Sequence, residues 1–84
     1  MKKITIYTKD YCPYCDSAKV LLTQIGAKYE EIDITKTPEM IHELVKKSGL
    51  MTVPQIFAGD KCLGGYDQIS ALHGEGKLLE ELGF

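Results

Sequence analysis

The chain has 84 residues, 44% of them hydrophobic and 26% charged, with 10 basic against 12 acidic residues and a formal net charge of −2. That balance offers no basic face for a phosphate backbone, and no apolar run reaches membrane-spanning length, so neither nucleic acid nor a bilayer is an expected partner. A single domain over residues 1–84, built on one small core and monomeric by default, is the expectation.

The first predicted element is a strand over residues 3–8. Its run Ile4-Thr5-Ile6-Tyr7-Thr8 is β-branched and too poor in charge for a surface edge. A helix follows over 13–25. Pro13 suits its first turn, Ala18, Leu21, Leu22 and Ile25 recur at i, i+3, i+4, i+7, and Gly26 suits the stop. Residues 28–34 read as a second strand with weaker alternation. Thr37 as N-cap and Pro38 as first residue predict a helix over 38–48, ended by Gly49, with Met40, Ile41, Leu44 and Val45 inward. Residues 54–58 and 61–64 predict a hairpin turning at Gly59-Asp60. Asp67 is placed as the cap of a further helix with Ile69 and Leu72 inward, broken near Gly74-x-Gly76, and 77–82 as a last helical turn. Strand–helix–strand implies a parallel pair with a right-handed crossover. The hairpin adds antiparallel strands, and the helices cover both faces in an α/β sandwich.

Met1-Lys2-Lys3 runs into strand sequence with no room for a signal peptide, which makes the expected location cytoplasmic. Three cysteines, an odd number, suit a reducing compartment better than a disulfide framework. Two of them stand in Cys12-Pro13-Tyr14-Cys15, at the junction of the first strand and first helix. A Cys-x-x-Cys in that setting reads as a redox dithiol that closes and reopens as a disulfide. Cys12 falls at the N-cap, where free backbone N–H groups and the positive helix end favour a thiolate, and Lys9 adds a cation upstream. Cys12 is therefore assigned as nucleophile and Cys15, one turn in and less exposed, as resolving thiol. The alternative of a zinc half-site needs about four ligands. Cys62, His42 and His73 form no second metal-type pair, so no metal is expected.

Two later segments bear on the same site. Thr52-Val53-Pro54 opens the third strand. Its proline is either a plain strand start or, if its bond is cis, a bend that turns the Val53 backbone toward Cys12. In Gly64-Gly65-Tyr66-Asp67 the glycines permit close backbone approach, while Asp67 is either an ordinary N-cap or an acceptor for a ligand ammonium.

Taken in order, Tyr7-Thr8-Lys9, Cys12-Pro13-Tyr14-Cys15, Thr52-Val53-Pro54 and Gly64-Gly65-Tyr66-Asp67 resemble a dithiol glutaredoxin over essentially the whole chain. The resemblance implies the thioredoxin fold, a four-stranded mixed sheet flanked by helices in the order β-α-β-α-β-β-α. It implies a glutathione-dependent oxidoreductase that reduces protein–glutathione mixed disulfides and protein disulfides, with glutathione as co-substrate and glutathione reductase as the indirect partner. It further implies a cis Pro54, and a glutathione site in which Thr52 and Val53 lie along the tripeptide. In that site Gly65, Tyr66 and Asp67 hold the γ-glutamyl end, and Lys9 and Tyr14 lie near the glycine carboxylate.

Many members of that family carry Arg or Gln in the second helix, or Arg just before Thr-Val-Pro, and the chain departs from this pattern. Ile41 and Leu50-Met51 stand there, with His42 and Lys47 as candidate substitutes. Two rival readings are a thioredoxin-reductase-dependent redoxin, disfavoured by the Gly-Gly-x-Asp segment, and a [2Fe–2S]-binding module, disfavoured by Pro13. Cys62 reads as a structural thiol, His42 and His73 as surface residues, and Glu80-Glu81 as a solvated face. Tyr11 either shapes the substrate surface or packs.

Overall fold

A computed structural model describes residues 2–83. Its elements are β1 (Ile4–Thr8), α1 (Pro13–Gln24), β2 (Glu30–Asp33), α2 (Met40–Ser48), β3 (Gln55–Ala58), β4 (Lys61–Gly64), α3 (Tyr66–Gly74) and α4 (Leu78–Glu81). The four strands form one sheet in the order β2-β1-β3-β4. β1 pairs parallel with β2 and antiparallel with β3, and β3 pairs antiparallel with β4.

The charge-poor first strand is indeed interior. Ile4, Ile6 and Thr8 are buried on one face, while Tyr7 packs toward the other. The first face joins Ala18, Leu21 and Leu22 of α1, Ile69 of α3, and Leu78 and Leu82 into the larger core cluster. The opposite face is covered by α2, through a smaller cluster of Ile34, Leu44 and Phe57. A mixed sheet with α1 and α3 on one side and α2 on the other is the expected thioredoxin fold. Burying two faces explains why all four residues of β3 are buried while β2, at the edge, keeps Glu30, Glu31 and Asp33 in solvent.

Two predicted caps are corrected. Thr37 does not cap α2, whose N-cap is Glu39 with no side-chain bond. Bonds from Met40 N–H to Thr37 O and from Ile41 N–H to Pro38 O make residues 37–41 a tight turn, and the Thr37 hydroxyl donates to Met40 Sδ instead. Asp67 does not cap α3, whose N-cap is Gly65, two residues earlier, which leaves Asp67 inside the first turn. Gly49 ends α2 as expected, in the left-handed region at φ 76°, its N–H bonded to Val45 O. Of the acidic tail, Glu80 is exposed but Glu81 is half-buried and pairs with Lys61 at 2.7 Å.

The dithiol helix is tied to the sheet by one polar chain. The buried Thr8 hydroxyl donates to Glu31 Oε2 at 2.7 Å, and Lys19 of α1 pairs with the same oxygen at 3.1 Å. The Thr8 bond, helped by Lys19, holds the Glu31 carboxyl below its ordinary range against partial burial. A carboxyl depressed in the folded state adds stability above its unfolded pKa and loses it as pH falls through the folded value. Thr8→Val should therefore lower Tm at neutral pH. The gap from the parent should close as thermal melts are taken at successively lower pH through the carboxylate range; a gap constant with pH would refute the link.

Candidate active site

Pro13 opens α1 because a first-turn residue has no intrahelical acceptor for an N–H, and this leaves Cys12 as N-cap in extended conformation. The two cysteines are joined as a disulfide with Cα atoms 5.2 Å apart. The Cys15 N–H points at Cys12 Sγ, 3.1 Å away. A helix-terminal amide so aimed stabilises negative charge on that sulfur once the disulfide opens. Cys12 is half-buried and Cys15 only 1% exposed. Of the pair, Cys12 is the sulfur an outside disulfide can reach, and Cys15 is placed to attack a disulfide formed on Cys12. Cys15 also continues the buried stripe of Ala18 and Leu22 one turn toward the helix start, so burial of α1 itself hides the second thiol.

Val53 lies 41 residues on from Cys12 in sequence, yet its carbonyl is 3.9 Å from Cys12 Sγ. The Val53–Pro54 bond is cis. Pairing of β3 beside β1 brings the start of β3 to the end of β1 from which the dithiol loop leaves. The Gly64-Gly65 turn is close behind. A Cβ on Gly65 would sit 3.2 Å from the Pro54 carbonyl, and one on Gly64, at φ 101°, only 2.8 Å from Gln68 Cγ. Gln68 accepts the Gly65 N–H at 2.8 Å, holding the entrance of α3.

These segments enclose a groove of about 390 Å³ lined by Tyr14, Leu50, Thr52, Val53, Pro54, Gly65, Tyr66, Asp67 and Gln68. Seven of the eight positions expected for a glutathione site are brought together there. Lys9, the eighth, lines an adjoining cleft of about 400 Å³ that shares Thr52 and Val53 and is otherwise walled by Ile34, Thr35, Pro38, Ile41 and Met51. The rings of Tyr14 and Tyr66 lie 6.3 Å apart and join α1 to α3 at the groove.

Neither candidate substitute for the missing basic residues lines these clefts. His42 is exposed, and Lys47 lines a separate cavity with Tyr7, Phe57 and Asp60. Tyr11 does not pack: it is fully exposed, with φ 57°. Cys62 is a free, half-buried thiol beside the smaller core, outside both clefts. Three positions have a place at the site that sequence reasoning missed. Thr35 accepts the Asp10 N–H at 2.8 Å and steadies the loop carrying Lys9. Gln68 was legible as a glutamine three residues after a helix-entry glycine. Gln55 was legible as an amide interrupting an otherwise apolar strand.

Comparison with known proteins agrees with this geometry. A family model described as Glutaredoxin matches residues 4–63. A glutaredoxin of Pseudomonas aeruginosa is 45% identical over 78 residues, covering 93% of each chain. The solution structure of a glutaredoxin from Brucella melitensis superposes with a TM-score of 0.85 at 45% identity, over 100% of this chain and 94% of that one. A buckwheat glutaredoxin–glutathione complex superposes with a TM-score of 0.88 at 33% identity, over 96% of this chain and 76% of that one. With its half-buried and fully buried cysteines set at a helix entrance in this fold, the chain belongs to the glutaredoxin family and is a thiol–disulfide oxidoreductase.

Proposed function

We propose that the electron donor is glutathione and that the substrates are protein–glutathione mixed disulfides and protein disulfides. The observation that carries this reading is the groove beside Cys12, whose floor is the Val53 backbone and whose far end is the first turn of α3. A γ-glutamyl carboxylate suits that helix start, and its ammonium suits Asp67. The glycine carboxylate would then point into the adjoining cleft, where Lys9 is the one cationic side chain in the wall among the described residues.

The chemistry follows from the two sulfurs. The Cys12 thiolate attacks the glutathione sulfur of a mixed disulfide and displaces the protein thiol, which leaves glutathione bonded to Cys12. A second glutathione thiolate attacks that bond, restoring Cys12 and forming oxidised glutathione, which NADPH and glutathione reductase recycle. With a protein disulfide, Cys12 forms a mixed disulfide with one substrate sulfur and Cys15 displaces it. The Cys12–Cys15 disulfide that results needs two glutathiones to reopen.

The test is NADPH consumption with a glutathionylated peptide, coupled in parallel to glutathione with its reductase and to thioredoxin reductase. Turnover is expected in the first system. Turnover confined to thioredoxin reductase would overturn the proposal and make the chain a redoxin of the rival type.

A further inference from the structure

Gln55 is costly at its position if packing is all it does. Its side chain is fully buried in β3 between Pro54 and Ile56, and its Oε1 has no hydrogen-bond partner among the described residues. A buried amide oxygen without a partner loses its hydration and recovers nothing, a loss that methionine of similar shape would not incur. The return is on the nitrogen. Nε2 donates to Leu50 O and to Thr52 O, each at 2.9 Å, so both of its hydrogens serve one three-residue arch. The arch runs directly into Val53, whose carbonyl is 3.9 Å from Cys12 Sγ. Its apex residue, Met51, is 73% exposed, so packing of the central side chain does not hold it. Beyond the Gln55 bond, its near end is held by Ser48, whose Oγ accepts the Leu50 N–H at 3.0 Å and lies 3.5 Å from Leu50 O as a donor.

We infer that Gln55 is a positioning residue that acts through the Leu50–Thr52 arch. It aims the Val53 backbone at the peptide backbone of whatever thiol is joined to Cys12. The inference rests on the glutathione reading above and deepens it: the arch confers preference for thiols that carry a peptide backbone over thiols that carry none. Gln55 does not touch the reacting sulfurs, so its loss should alter this preference and leave the bond-making chemistry itself in place.

The test is a thiol exchange in a Cys15→Ser background, where the mixed disulfide on Cys12 persists. Cys12–S–S–glutathione and 2-mercaptoethanol are equilibrated with Cys12–S–S–mercaptoethanol and free glutathione, one disulfide being exchanged for another with no net oxidation. Mass spectrometry at several thiol ratios gives the equilibrium constant. The background protein should favour glutathione, and Gln55→Met should reduce that preference by about five- to tenfold, the weight of roughly one hydrogen bond. The Tm of Gln55→Met should stay within about 5 °C of the background. An unchanged preference in Gln55→Met overturns the role of Gln55 while leaving the glutathione reading intact. A background protein with no preference for glutathione overturns that reading, and the role of Gln55 with it. Should Gln55→Met fail to fold, Gln55→Glu decides. Relative to the background at each pH, its preference should be lost at high pH and return in part as the carboxyl takes up a proton it can donate, one hydrogen where the amide has two. A deficit independent of pH, or none at all, overturns the inference.

Discussion

Cys12→Ser is expected to abolish turnover of a glutathionylated peptide, by at least about a thousandfold, whereas Cys15→Ser keeps most of it. The asymmetry follows from placement. Cys12 is half-buried at the helix entrance with an amide N–H 3.1 Å from its sulfur, and Cys15 is sealed at 1% exposure. A serine hydroxyl at position 12 is no nucleophile at neutral pH, and Cys15 cannot replace Cys12 from beneath the helix. Reduction of a mixed disulfide needs one sulfur on the enzyme and a second from free glutathione, so Cys15 is dispensable for it. Reduction of a protein disulfide under scarce glutathione should fall in both variants, since release of the substrate then depends on Cys15. Measuring both substrates with the three proteins decides the assignment. Mixed-disulfide turnover surviving in Cys12→Ser would reverse it.

Leu22→Ala is expected to produce the largest loss of stability among single substitutions in α1. Leu22 is fully buried in the core beneath the helix, with Ile4, Ile6, Ile56 and Ile69 in the same cluster. Truncation removes transfer energy and leaves a cavity, together about 2–5 kcal/mol. For a domain whose total stability is on the order of 5–15 kcal/mol, that is a large fraction, and it corresponds to a Tm lower by about 10–25 °C. Val20→Ala, on the 56% exposed outer face of the same helix, should change stability by no more than about 0.5 kcal/mol. Thermal melts of the two variants compare the faces directly. Similar losses in both would mean that α1 is not held by its inward stripe, and the burial of Cys15 would lose its explanation.

Helix α1 shows why much of this molecule was legible in its sequence. The apolar spacing of Ala18, Leu21 and Leu22, the proline at the start and the glycine at the stop all act within a few residues, and each made the expected contact. The charge-poor first strand was legible for a similar reason, since an interior strand cannot afford solvent-facing charge on either side. The misplaced caps at Thr37 and Asp67 have the opposite cause. The Thr37 hydroxyl bonds to Met40 Sδ instead, and at α3 the Gln68 side chain takes the Gly65 N–H, so that helix begins ahead of Asp67. Ile41 and Met51 were readable in the sequence as apolar, but that they wall the same cleft as Lys9 emerged only from the packing of α2 beside the arch.

By itself the sequence determined the reactive unit: two cysteines spaced one helical turn apart at a helix start, with the more exposed one capping it. That is so because spacing, capping and the helical period are local properties of the chain. The tertiary structure alone decided what faces that unit. Contact between Cys12 and Val53, and the gathering of Tyr14, Pro54 and Gly65 around one groove, depend on strand order and on the placement of β3 beside β1. Such contacts join segments tens of residues apart, and they form where burial of both sheet faces is satisfied at once, a condition that no local pattern encodes.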